Sequence, residues 1–471
     1  MKKLVVFLLA LTLIFFSYSV LAANHQTTDV VVIGSGAAGL AASIEAAEAG
    51  AEVILLEKMP FEGGSTRLSG GIVYATNSPL QKEQGIDDTP ESLTDYWLER
   101  AEGNADRELL NLVAEQSGQT ISWLMDNGVE FNSEVTAQGT SPVARGHTAK
   151  NGGYGLIEPL KNTAVEKGVN IMFETSAYEL ITNNEGRVTG VKAQDKNQDT
   201  EIEIKAEAVV LATGGFDRSE EMKEKYAPIA EDQISYSNKG NVGDGLKMAE
   251  EVGAQIIAKN GVIGFRGVAQ DIPYTSALGG LIFSPTLYVD QNGNRFCNEA
   301  SDYPIIYDQM TENGSELFYL IFDKDNYSET LEKGLEKDVA YKASSLDALA
   351  EKINIEKSAF TKTVENYNSF AENGKDEDFN KPAQLLNKID NPNYYALQVK
   401  PATLGTFGGP KINLKTQVLN ENDNPISGLY AAGEVANGQL FNKIYPASGS
   451  SIQMSFTLGR IAGENAAAAA E

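Results

Sequence analysis

A chain of 471 residues, 42% hydrophobic, 22% charged and free of low-complexity tracts, is long enough for a large buried core and predicts two packed units. Its formal charge of −27 argues against nucleic acid and anionic membranes as partners, the simplest reading of the charge being solubility. A single cysteine, Cys297, excludes an internal disulfide and a covalent c-type haem, and with only two histidines, His25 and His147, no metal site is expected.

In chain order, Lys2 and Lys3 precede an apolar run at 4–16, and Val20-Leu21-Ala22 supplies a small-residue cleavage pattern. Residues 1–22 therefore predict a signal peptide and a secreted or periplasmic protein, with no stable membrane insertion after cleavage. An uncleaved anchor is the alternative, because the run is slightly long. No cysteine follows it, which excludes bacterial-type lipid attachment. Cleavage would remove two lysines and no acids, taking −27 to −29.

"DVVVIG" at 29–34 is a short, wholly apolar strand of the kind buried in a parallel sheet. "GAAGLAASIEAAEAG" follows as a helix ending at Gly50, and "EVILLEK" at 52–58 is the next strand. This βαβ unit sets the class as α/β. Helical patterns occupy 91–127 and 155–167, and strands with an Asn-Glu-Gly turn follow through "AYELITNNEGRVTGVKAQ". "AEAVVLATGGF" at 206–216 is a further buried strand running into a double-glycine turn. From about 260 to 404 the texture changes to charged helices, such as 345–373, between loops rich in Gly, Pro and Asn, which predicts an inserted unit. "GLYAAGEV" at 428–435 returns to strand and glycine turn, and a helix from about 450 to 469 ends the chain.

Gly34-x-Gly36-x-x-Gly39 stands after a strand and opens a helix. The first glycine allows the tight turn, the second lets backbone approach a pyrophosphate, and the third permits close helix packing. Glu57, at the end of the next strand, is placed to accept from a ribose hydroxyl. FAD rather than NAD follows from the second glycine- and hydroxyl-rich loop "GGSTRLSGG" at 63–71, from the glycine turn of "GLYAAGE", and from export away from a nicotinamide pool. The full set expected to hold the cofactor is Gly34, Gly36, Ala38, Gly39, Glu57, Lys58, Gly64, Ser65, Thr66, Ser69, Gly70, Gly71, Leu180, Gly214, Asp244, Glu434, Ser450, Ser451 and Ile452.

These motifs, with "RGH" at 145–147, "VGDG" at 242–245, "GNRFCNE" and "GRIAGE", resemble the family of soluble fumarate reductases and succinate dehydrogenase flavoprotein subunits. That family also contains urocanate reductases and 3-ketosteroid dehydrogenases. The resemblance runs from about 29 to 467. It implies a Rossmann-type FAD-binding domain (23–258 and 405–471) interrupted by an α+β capping domain (259–404), with substrate held between cap and flavin.

The fumarate chemistry does not carry over residue by residue. Tyr303 stands where a fumarate reductase places its proton-donating arginine, and Gly405 and Pro446 stand where it places a histidine and a second arginine for the carboxylates. A cap histidine is replaced near Gly264. A dicarboxylate needs paired, charge-assisted donors, so fumarate is not the expected substrate. Arg266 and Lys411 remain as sources of a single positive charge for a monocarboxylate.

The replacements resemble a ketosteroid dehydrogenase. There a tyrosine after "NE" exchanges a proton beside a carbonyl, and a Tyr-x-x-x-Gly turn binds the carbonyl oxygen. The resemblance gives Tyr303 the first role, and Tyr445 and Gly449, in "YPASG", the second. The opposing reading makes both tyrosines packing residues. Three functions are open: FAD-dependent reduction of a C=C bond conjugated to a carbonyl, with electrons from a membrane-linked cytochrome or flavin carrier; the reverse dehydrogenation of a ketone; and a flavin electron carrier without a small-molecule substrate.

Overall fold

The computed structural model describes residues 25–270 and 272–470, so the signal-peptide reading of residues 1–22 lies outside the described residues. The larger sheet is built on His25–Ile33, which runs parallel to Val53–Leu56 on one side and to Thr200–Leu211 on the other. Asn170–Met172 extends it beyond Val53–Leu56, and Pro425–Ala431 extends it beyond Thr200–Leu211. Val30, Val31 and Val32 are wholly buried, as the apolar run requires of a strand covered on both faces. The helix Ala37–Glu48 covers one face and packs against the last helix, Ser450–Ala468. No helix among the described residues is long and apolar enough to cross a membrane.

A second, largely antiparallel sheet centres on the long strand Tyr394–Pro410, which pairs antiparallel with Ile256–Val268, Phe318–Phe322 and Ala340–Ala343 and parallel with Ile234–Ser235. The boundaries expected at 258/259 and 404/405 fall inside Ile256–Val268 and Tyr394–Pro410. Both strands belong to the second sheet and pair with each other, because the change in sequence texture follows helices and loops rather than the hydrogen-bonded ladder. The helical pattern at 345–373 divides into Leu346–Lys352 and Lys357–Asn373. Asn354 turns the chain with φ +56, and Glu356 caps the second helix by accepting from the Ala359 N–H. Residues 91–127 likewise form two helices, Pro90–Arg100 and Arg107–Asp126, the second capped by Asp106.

"GNRFCNE" proves to be an electrostatic staple. Arg295 donates to both oxygens of Glu299, at 2.9 Å each, and to both oxygens of Asp376, at 2.8 Å each. Lys381 Nζ lies 3.1 Å from Glu299 Oε2, and all four side chains are at most 4% exposed. Burial alone would raise the Asp376 carboxyl, but the Arg295 guanidinium and the Lys381 N–H bring it down to about 2. Removing one member strands charge in the interior. Arg295→Ala should therefore lose about 3–5 kcal/mol of stability, read as a lower urea midpoint; an unchanged midpoint would show that the network relaxes into solvent.

Candidate active site

A cavity of about 830 Å³ runs between the two sheets. Its walls include Gly34, Gly36, Ala38, Glu57 and Lys58 from the first βαβ unit. Gly64, Ser65, Thr66, Ser69, Gly70 and Gly71 of the second glycine loop line it too, with Gly214, Asp244 and Glu434. At the far end stand Tyr303, Tyr445, Gly449, Ser451 and Ile452. The fold therefore brings together most of the residues expected from the sequence.

Three do not reach the lining. Gly39 sits behind it, where a Cβ would fall 1.7 Å from Gly34 O, so its part is the close approach of helix to turn. Leu180 packs into the apolar core instead. The strand passes a register shift between Ala177 and Glu179, and Thr175, Ser176 and Ala177 line the cavity in its place. Ser450 is buried at the start of the last helix without facing the cavity, and its hydroxyl has no partner among the described residues. Lys411 is also remote, paired at the surface with Asp423.

The walls suit a dinucleotide. Gly34 has φ +100 and a Cβ there would lie 2.4 Å from Ala212 O, so the turn admits only glycine beside the cradle. Glu57 accepts from Ser35 N–H at 3.0 Å and Met59 N–H at 2.8 Å, which fixes its carboxylate at the strand end. Lys58 is held by Asp244. Thr213 lines the cavity with a buried hydroxyl that has no partner among the described residues, a polar group the sequence analysis passed over.

Glu434 is the most perturbed carboxyl here. It accepts from Thr406 N–H at 2.9 Å and Asn241 Nδ2 at 3.1 Å. Burial raises it to about 8, with the Asp217 carboxylate adding to the shift. Asp217 itself takes four donors, from Ser235, Ser237, Asn241 and Thr403. Glu434 also explains Gly405: a Cβ at 405 would lie 2.6 Å from Glu434 Oε1, leaving no room for a side chain. At Gly264 the space is taken by Tyr307, whose ring would meet a Cβ at 1.9 Å. The places where the resemblance puts two carboxylate-binding groups and a cap histidine are thus closed or neutral, the Pro446 carbonyl accepting from the Tyr96 hydroxyl at 2.7 Å.

Tyr303 opens the helix Tyr303–Asn313, with Asp302 as N-cap and Pro304 in the first turn. Asp302 accepts from Tyr303 N–H at 2.8 Å, Gly139 N–H at 2.8 Å and Ser448 N–H at 3.0 Å, and it also takes the Ser448 hydroxyl proton. This ties the helix to the turn carrying Tyr445, and the two phenol rings lie 6.3 Å apart at 24°. Burial pushes the Tyr303 phenol well above its ordinary value, Tyr445 and Asp302 reinforcing the shift. Tyr445 is likewise raised by burial. Its oxygen accepts from Ser451 N–H at 2.8 Å, which leaves its own proton to donate elsewhere. Gly449 has φ +91, and its N–H has no partner among the described residues.

The chain matches the family model described as FAD binding domain over residues 29–452. It is similar to the fumarate reductase (cytochrome) of Shewanella frigidimarina, 33% identical over 458 residues that cover 94% of this chain and 78% of that protein. It is 34% identical over 457 residues to the urocanate reductase of Eggerthella lenta, covering 94% and 75%. Among solved structures it resembles the 3-ketosteroid-delta4-(5alpha)-dehydrogenase of Rhodococcus jostii, with TM-score 0.76, 28% identity, and 94% and 97% of the two chains covered.

Two variants test this wall. Glu57→Ala should keep the fold but weaken FAD retention by roughly 10- to 100-fold, measured by fluorescence of released flavin on dilution; unchanged retention would remove Glu57 from the contact set. For Glu434, the folded chain holds a proton between the ordinary value of 4.5 and about 8 that the unfolded chain has released. Its contribution to stability is intact below the lower value and lost as pH rises through the upper one. The melting temperature of the holoprotein should fall across that window, and Glu434→Gln should flatten the fall. The agreement extends from the first glycine turn to the last helix: the chain belongs to the family of fumarate reductases and succinate dehydrogenase flavoproteins, FAD-dependent oxidoreductases acting on a CH–CH or C=C bond.

Proposed function

We propose that this protein reduces a C=C bond conjugated to a carbonyl. The observation that carries the reading is the pair Tyr303 and Tyr445, held 6.3 Å apart beside a Gly449 N–H that has no partner among the described residues. When bound and reduced, FAD supplies the hydride for the β-carbon. Tyr445 and Gly449 donate to the carbonyl oxygen, where negative charge develops as the enolate forms. Tyr303, a phenol at neutral pH because burial opposes its ionisation, gives its proton to the α-carbon. The Ser448 hydroxyl beside Tyr303, bonded to Asp302, offers the route by which that proton is restored.

Substrate sits between the sheet of the nucleotide fingerprint and the capping segment 259–404 in this reading. The leader-like residues 1–22 support export. One relative, named as a cytochrome fumarate reductase, supports an external cytochrome or flavin protein as the electron source.

Tyr303→Phe should retain FAD and fold while slowing reoxidation of the reduced protein by an enone roughly 10²- to 10⁴-fold. The wild-type rate should stay level from neutral to mildly alkaline pH, because the raised phenol keeps its proton there. A rate that already falls between neutral and mildly alkaline pH would show that the proton comes from a group that titrates there and not from the Tyr303 phenol. A Tyr303→Phe protein as fast as wild type would remove Tyr303 from the chemistry.

A further inference from the structure

The cap-side wall holds a charge that the proposed reaction does not use. Arg266 lines the cavity and is 4% exposed. Its Nε and Nη2 both donate to one neutral acceptor, Ile282 O, at 3.0 and 2.7 Å. Its Nη1 is buried with no hydrogen-bond partner, and no carboxylate lies within ion-pair distance of the guanidinium among the described residues. The nearby acids are committed, Glu299 to Arg295 and Lys381, and Asp376 to Arg295. Three buried cations thus face two buried carboxylates. A buried guanidinium without an anion is costly, and a planar fork with a free edge matches a carboxylate.

The surroundings define the rest of the ligand. Phe265 is 5.2 Å from Tyr303, 5.2 Å from Tyr274 and 6.0 Å from Phe283, centroid to centroid. Arg266 lies over Phe283 at 5.7 Å. These rings form an apolar wall suited to a flat body.

We propose that Arg266 binds one carboxylate of the substrate, and that the substrate class is a planar, apolar enone bearing a single carboxylate apart from its reacting carbonyl. This rests on the reductase reading for the reaction, but the binding claim stands or falls separately. A dicarboxylate such as fumarate would find one anion partner here and no second.

The test uses holoprotein with oxidised FAD, where binding is read from the change in flavin absorbance without turnover. The probes are 4-carboxybenzylideneacetone and its methyl ester. Wild type should bind the acid about 10- to 100-fold more tightly than the ester, the range for a charge-assisted hydrogen bond. Arg266→Gln, which keeps an amide donor for Ile282 O, should erase that preference, and Arg266→Lys should restore part of it. Equal binding of acid and ester by wild type, or no response to the acid at millimolar concentration, overturns the proposal with no variant needed. Tight, Arg266-dependent binding of the acid without reoxidation of the reduced protein would instead preserve the carboxylate site and sink the reductase reading.

Discussion

The active site depends on one carboxylate that touches no reacting atom. Asp302 collects three backbone N–H groups, from Gly139, Tyr303 and Ser448, and the Ser448 hydroxyl. Those donors come from three separate stretches of chain: a loop, the start of a helix and the turn before the last helix. A carboxylate has enough lone pairs to hold them all at once, and each charge-assisted bond is short and directional. Because Tyr303 and Tyr445 stand on two of the stretches so joined, Asp302 helps fix the spacing of the phenols alongside the contact between their rings. The positions of both phenols are thus set from one residue before Tyr303.

The electrostatics divide along the cavity. Toward the nucleotide fingerprint, charge is paired and fixed, as with Lys58 and Asp244. At the phenols the donors are uncharged: two hydroxyls and an amide, with burial and the Asp302 carboxylate keeping the phenols neutral. Neutral donors of this kind answer charge only as it appears on the substrate. The cap staple of Arg295, Glu299, Asp376 and Lys381 is instead self-contained.

The first βαβ unit was legible in the sequence because local rules decide it: an apolar strand, a glycine turn and an acidic strand end. Glu57 lines the cavity as that spacing required. Leu180 lies in the apolar core, while Thr175, Ser176 and Ala177 earlier in the same strand line the cavity, and nothing in "AYELIT" tells one from the other. Asp302 went unread in the sequence, because its bonds to Gly139 and Ser448 span more than a hundred residues each and have no sequence signature. Gly405 could be seen to lack a histidine, whereas the reason for its smallness, Glu434 pressed against it, exists only in three dimensions. The free edge of Arg266 belongs to the same kind of fact, since a side chain's want of a partner depends on every neighbour at once.

The long pair Ile256–Val268 and Tyr394–Pro410 contributes Ile263, Phe265, Arg266 and Leu404 to the cavity wall. A ribbon of that kind resists folding over like a page, since bending across its ladder breaks hydrogen bonds. It yields far more easily in torsion. Its pairing is interrupted twice, between Ala258 and Gly261 and between Ile263 and Gly264, where the twist can tighten or relax without loss of the remaining bonds. The second interruption lies two residues from Arg266, so a change of twist there would move the guanidinium with it.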